Sequence, residues 1–304
     1  MKPSAAKTTA SVLALATVLT FVLAAAPAGA SIILPSVSSG DLIVHLDANE
    51  GVTADGSNNV STWADQDTSN TSNSITANDF TAVNSPTLVT NSTPNGSAAL
   101  SFDGTDDKLQ GAEFFDFSEF TIFAVARGKS GDGSLGSIFW DYGSVTAKQN
   151  FLGVDYHKGS DSEFEARVRD DSGNDTIIVA SGSASDTDAE NWNVLTSRLS
   201  GQTLDLYVNS LLAASDTNTN YDTTTTWEGT GGAPTIGNFP NQNNIAEFDG
   251  EIAALLIYRG ALNDTDRAAV ENSLNDAFIV PEPASLLLLG LGGVLLLGRH
   301  GRRK

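Results

Sequence analysis

Three acids in "EFDGE", Glu247, Asp249 and Glu251, are the residues whose spacing is most suggestive of catalysis. On a strand, that spacing puts all three side chains on one face. Retaining glycoside hydrolysis needs a carboxylate nucleophile and a carboxylic acid about 5 Å apart, and i, i+4 carboxylates on a curved strand have that reach. A second reading makes them surface charges leading into the apolar run "IAALLIYRGAL". On that reading Glu247→Gln and Glu251→Gln change little.

A second acidic group, Asp103, Asp106 and Asp107 in "FDGTDD", offers the hard oxygen ligands that calcium takes. Its spacing is not that of an EF-hand, and aspartate is also an ordinary turn former. Stacking surfaces come from aromatic residues. Trp227 and Tyr221 fall in the Thr-rich "YDTTTTWEG", where a loop aromatic suits a ligand surface, whereas Trp140 lies in an apolar run and reads as core. The chain has no cysteine and three histidines, which leaves zinc sites and histidine-based triads without an identifiable ligand set.

Strands must position these residues. Short apolar or alternating runs recur between clusters of Gly, Asn, Asp, Ser and Thr, at 41–48, 98–104, 119–128, 137–143, 150–157, 163–170, 193–200, 203–209 and 251–260. Leu204, Leu206 and Val208 alternate with Asp205, Tyr207 and Asn209, the pattern of a half-buried strand. One helix is expected, from Asp264 to Phe278, with Asn263 as its cap and Asp266 as part of a capping box. Segments 66–97 and 214–232 are poor in apolar residues and read as long loops. The fold class is therefore all-β, a sandwich or jelly roll with one short C-terminal helix.

The two ends have a different character. Lys2 and Lys7, the apolar stretch from Val12 to Ala25 and the small residues Ala28-Gly29-Ala30 form a secretory leader, residues 1–30, cleaved after Ala30. At the other end, Pro281-Glu282-Pro283 precede fifteen uncharged residues, Ala284 to Gly298, and then Arg299, Arg302, Arg303 and Lys304. As a helix this run spans roughly 22 Å against a hydrocarbon core of about 30 Å, so it is a short transmembrane helix with a basic tail held inside. Six of the sixteen Lys and Arg residues lie in these two ends, which makes the domain between them more acidic than the net charge of −21 indicates. Such a surface repels phosphate backbones, so no nucleic-acid partner is expected.

Pro281-Glu282-Pro283 with the Leu/Gly-rich run and the terminal basic cluster resembles the PEP-CTERM sorting signal. That resemblance implies an exosortase-type protease as partner, cutting near the prolines, and transient membrane anchoring before delivery to the surface or extracellular matrix. The body is similar to LamG-like, concanavalin A-like jelly rolls through "VSTWADQD", "LSFDGTDDKLQ", "NWNVLTSRLSGQTLDLYVNS" and "FDGEIAALLIYRGALNDTDRAAV", in that order. In that family the residue at Ser210 is usually glycine, which points to a different hairpin turn here, and Trp192 matches a buried tryptophan. Laminarinase-type glucanases share the jelly roll and a similar acidic triplet, but Gly250 stands where their motif has an aliphatic residue.

The reading is a leader at 1–30, a LamG-like domain at 31–278 and a sorting segment at 279–304. The protein is expected to be exported, non-catalytic and associated with extracellular polysaccharide, with calcium as its one candidate cofactor. The alternatives are a laminarinase-like glycoside hydrolase and a purely structural matrix component.

Overall fold

The computed structural model describes residues 32–67, 78–112, 118–128, 135–142, 149–155, 163–169, 176–180, 190–223, 233–239 and 247–280. The leader with Ala28 and Ala30, the loop residue Trp227, and the tail with Pro281, Glu282 and Pro283 lie outside these residues.

The first half of the chain runs through β1 (Asp41–Asp47), β2 (Val52–Ala54), β3 (Val60–Trp63), β4 (Phe80–Asn84), β5 (Thr87–Val89), β6 (Ala99–Asp103), β7 (Lys108–Gln110) and β8 (Phe120–Gly128). It continues through β9 (Leu135–Tyr142), β10 (Gln149–Asp155), β11 (Glu163–Arg169) and β12 (Thr176–Ala180). The remainder supplies β13 (Asn193–Ser200), β14 (Thr203–Val208), β15 (Leu211–Thr217), β16 (Thr235–Ile236) and β17 (Asp249–Arg259). Helix α1 (Asp264–Leu274) then passes into a π-helical turn, Asn275–Ile279.

Two antiparallel sheets result. One has eight strands in the order β15-β14-β13-β8-β17-β6-β5, with β1 also paired to β17; the other has nine, in the order β12-β11-β10-β9-β16-β7-β4-β3-β2. Their facing sides close on Trp63, Phe80, Phe102, Phe139, Leu152, Phe164, Leu206 and Ile257, all buried. Each such side chain removed from water contributes roughly 1.5–3 kcal/mol. β17 reads as an unbroken apolar run because both its faces are covered. Ile252, Leu255 and Ile257 enter the core between the sheets, while Ala253, Ala254, Leu256 and Tyr258 meet the helix side.

That second, outer layer is built by α1 and the segment before β1. Ile32, Trp192, Val270, Leu274 and Phe278 pack there against the eight-stranded sheet. Trp192 is thus buried as expected, but beneath the helix rather than between the sheets. Asn263 caps α1 by accepting from the Asp266 backbone N–H at 2.9 Å. The expected capping box is not completed by Asp266. Its carboxylate instead accepts from the backbone N–H and hydroxyl of both Ser38 and Ser39, and the Asn263 N–H donates to the Ser39 hydroxyl.

Two loop expectations are corrected. Segment 66–97 contains β4 and β5, and 214–232 begins inside β15. These strands sit at or near sheet margins and present polar side chains to water, so they carry little of the apolar periodicity that marks a strand. The Ser210 expectation is also corrected. Asn209 and Ser210 both have positive φ, 50° and 69°, the geometry of a type I′ hairpin turn, so the glycine-type turn is kept with a serine in it. Among the described residues no helix is long and apolar enough to cross a membrane.

Candidate functional site

The acidic turn between β6 and β7 is assembled by backbone geometry. Gly104, at φ +70°, turns the chain after Asp103. Asp103 Oδ1 accepts from the N–H groups of Thr105 at 2.8 Å and Asp106 at 3.4 Å, and Asp107 Oδ2 accepts from the Asp103 N–H at 2.9 Å. One carboxylate oxygen from each of Asp103, Asp106 and Asp107 lies within 4.8 Å of the others. Oxygens on opposite sides of a calcium ion are about 5 Å apart, since each Ca–O bond is 2.3–2.6 Å. The donor set therefore fits calcium. Burial first, then the charges of Asp103 and Asp106, push the Asp107 carboxyl up to about 6. A divalent cation would relieve that repulsion.

The strand register adds a fourth acid. Asp249 pairs across the sheet with Asp103, and a Cβ at Gly104 would come within 2.8 Å of the Asp249 side chain. Sequence reasoning put Asp249 with Glu247 and Glu251, because nothing local shows which strand lies opposite.

The triplet itself is not held as a pair of free carboxylates. Glu247 precedes β17, and Phe248 is buried edge-on to Phe102 with ring centroids 6.0 Å apart. Glu251 is only 7% exposed. Its Oε1 accepts from Arg127 Nη2 at 2.8 Å and its Oε2 from the Ser92 hydroxyl. Arg127 stacks over the Trp192 ring at 5.2 Å, and the Trp192 indole donates to the Ser92 carbonyl at 3.2 Å. Neither Glu251 oxygen is presented to a substrate. The reading of Glu251 as an exposed lead-in is corrected as well, because the β8 strand and the Ser92 loop close over it. Gly250 stands where glucanases have an aliphatic residue because a Cβ there would lie 2.3 Å from the Arg127 carbonyl oxygen.

Tyr221 is also corrected as a ligand contact. It is 1% exposed and belongs to the core between the sheets, since the loop carrying it folds inward. Another aromatic group escaped the sequence reading as a surface. Register places Trp140 beside Phe151, while Phe139 and Leu152 enter the core, so the first two occupy the outer side of the nine-stranded sheet. There Trp140 packs edge-on to Phe151 and Phe239, at 4.8 and 4.6 Å. Arg167 lies over Phe151 at 5.8 Å and pairs with Glu165 at 2.6 Å. The alternation of "NFLGVD" was the available signal, but it cannot say which face is outward.

The profile of the concanavalin A-like lectin/glucanases superfamily matches residues 102–266, and that of the PEP-CTERM protein-sorting motif matches residues 280–304. The sequence matches no curated protein. Among solved structures, the binding domain of Paraclostridial Mosquitocidal Protein 1 is similar at 15% identity and a TM-score of 0.52, over 78% of this chain and 52% of that one. A botulinum neurotoxin type C structure is similar at 13% and 0.50, over 77% and 51%. Domain 4 of AbnA, a GH43 extracellular arabinanase from Geobacillus stearothermophilus, is similar at 13% and 0.47, over 78% and 99%. The chain spans about half the length of the toxin structures it matches. At these identities the likeness concerns the fold.

Proposed function

The chain belongs to the concanavalin A-like lectin/glucanases superfamily and carries a PEP-CTERM sorting motif, and from that premise we propose that it is an exported, non-catalytic carbohydrate-binding module of the cell envelope. The module is residues 31–278, with residues 279–304 as its sorting segment. The observation that carries the non-catalytic part is Glu251, whose two oxygens are taken by Arg127 and Ser92. A retaining mechanism needs both carboxyl groups to reach the sugar. Binding needs less: aromatic faces with a few polar groups beside them. Arg167 and Glu165 next to Trp140 and Phe151 meet that description, and Trp227 is the loop aromatic proposed to join them. Asp103, Asp106 and Asp107 are proposed to hold calcium, which supplies a fixed positive charge in an otherwise acidic surface and braces the β6–β7 turn.

A glycan array probed with and without calcium, paired with a reducing-sugar assay, tests this reading. Binding to a polysaccharide class with no release of reducing ends is expected. Release of reducing ends abolished by Glu247→Gln or Glu251→Gln would install the hydrolase instead, and a folded protein binding nothing would leave a structural matrix component. Mass spectrometry of surface-extracted protein tests the sorting segment. Mature chains ending near Pro281–Pro283 are expected; chains ending at Lys304 would make the tail a permanent anchor.

A further inference from the structure

The outer layer holds a buried carboxylate whose described partners are all uncharged. Asp47, at the end of β1, is 1% exposed. Its Oδ1 accepts from the Asn49 N–H at 2.8 Å and from Asn49 Nδ2 at 3.0 Å. Its Oδ2 accepts from the Ile32 N–H at 3.3 Å, a long bond for a charged acceptor. Among the described residues no Lys or Arg pairs with it. Burial, reinforced by the charge of neighbouring Glu50, holds the Asp47 carboxyl above the usual range. A buried carboxylate lacking a cation is costly unless one is supplied.

The chain has a source for that cation. Ile32 follows Ser31, and the leader motif ends at Ala30. Hydrolysis of the Ala30–Ser31 peptide bond places the water hydroxyl on the Ala30 carbonyl, and the released Ser31 amine takes up protons to become an ammonium. The nitrogens of adjacent residues are separated by only three bonds, roughly 3–3.7 Å. The ammonium is therefore created within reach of the oxygen that the Ile32 N–H already contacts. Before cleavage, the same position holds a neutral peptide N–H. We propose that Asp47 is a binding site for a primary ammonium, the chain's own Ser31 α-amino group, so that leader removal completes the outer layer of the fold. The proposal rests on the leader reading.

The experiment compares the full processed chain from Ser31 with the same chain carrying Gly29 and Ala30 ahead of Ser31, each with Asp47 and with Asp47→Asn. The Ser31 start is expected to melt about 3 °C higher when Asp47 is present, the shift that roughly 1 kcal/mol gives a domain of this size. The difference is expected to vanish in Asp47→Asn. Equal melting of the two Asp47 chains, or a difference that survives Asp47→Asn, overturns the proposal. Should Asp47→Asn fail to fold, the rate at which an amine-specific reagent labels Ser31 replaces it. Labelling slower than in the denatured chain by tenfold or more supports the site, and equal rates overturn it. N-terminal sequencing of the exported protein separates the two ideas: a chain that does not begin at Ser31 overturns the leader reading and the proposal together, whereas a Ser31 start with equal melting overturns the proposal alone.

Discussion

Asp107 shows how a single side chain can report on a ligand. Its folded pKa of about 6 lies above the unfolded value of 3.8, so its contribution to stability is whole below about pH 4 and is lost as pH rises through 6. Calcium is therefore expected to raise the melting temperature more at pH 7 than at pH 5, more than magnesium does at either, and not at all once Asp103, Asp106 and Asp107 are all Asn. Differential scanning calorimetry checks each arm; equal shifts from both ions would indicate charge screening alone. The two glutamates of the triplet are expected to part company. Glu247→Gln, half-buried and ahead of the strand, changes stability by less than about 0.5 kcal/mol, whereas Glu251→Gln weakens the pairing with Arg127 and costs about 1–2 kcal/mol. Urea unfolding of the two variants measures this difference. Ser210 holds φ 69°, a conformation with a steric penalty for any side chain, so Ser210→Gly is expected to stabilise by about 0.5–1 kcal/mol in the same assay.

At the scale of the element, the C-terminal helix is tied at both ends by distant loops. Ser38 and Ser39 hold its start through Asp266. At its end, Asn95 Nδ2 donates to the carbonyls of Asp276 and Ala277, and the Ser97 hydroxyl also donates to Ala277. Helix ends leave carbonyls without partners, and here a loop from the far side of the sequence supplies them. Asn95→Ala is expected to cost about 1–2 kcal/mol by urea unfolding, because it leaves two of those carbonyls short of a donor. Truncation after Val280 is expected to leave the melting temperature unchanged, while truncation after Leu274 removes buried Ala277 and Phe278 and costs about 3–5 kcal/mol. The helix and its Asn263 cap were legible because capping chemistry and 3.6-residue periodicity are local. Strands β4 and β5 were not, since marginal strands are held by backbone pairing that any polar sequence can make.

The whole molecule is an acidic sandwich, and its self-repulsion is expected to make it more stable in salt: raising sodium chloride from 20 to about 300 mM shortens the screening length from roughly 20 to 6 Å and should raise the melting temperature. An unchanged melting curve across that range would mean the charges are already balanced locally. The sequence by itself determined the all-β class, the order of most central strands, the C-terminal helix, the acidic calcium candidate and the character of both ends. Each of these follows from residue types adjacent in the chain, where turn chemistry, periodicity and charge act over a few residues. Only the tertiary structure decided that Glu251 is closed off by Arg127 and Ser92, that Tyr221 is core, that Asp249 lies against the Asp103 turn, and that Asp47 is buried beneath Ile32. Those outcomes depend on which strands pair and which face of each sheet is covered. Register between segments far apart in sequence is set by the collective fit of the core, and no local pattern encodes it.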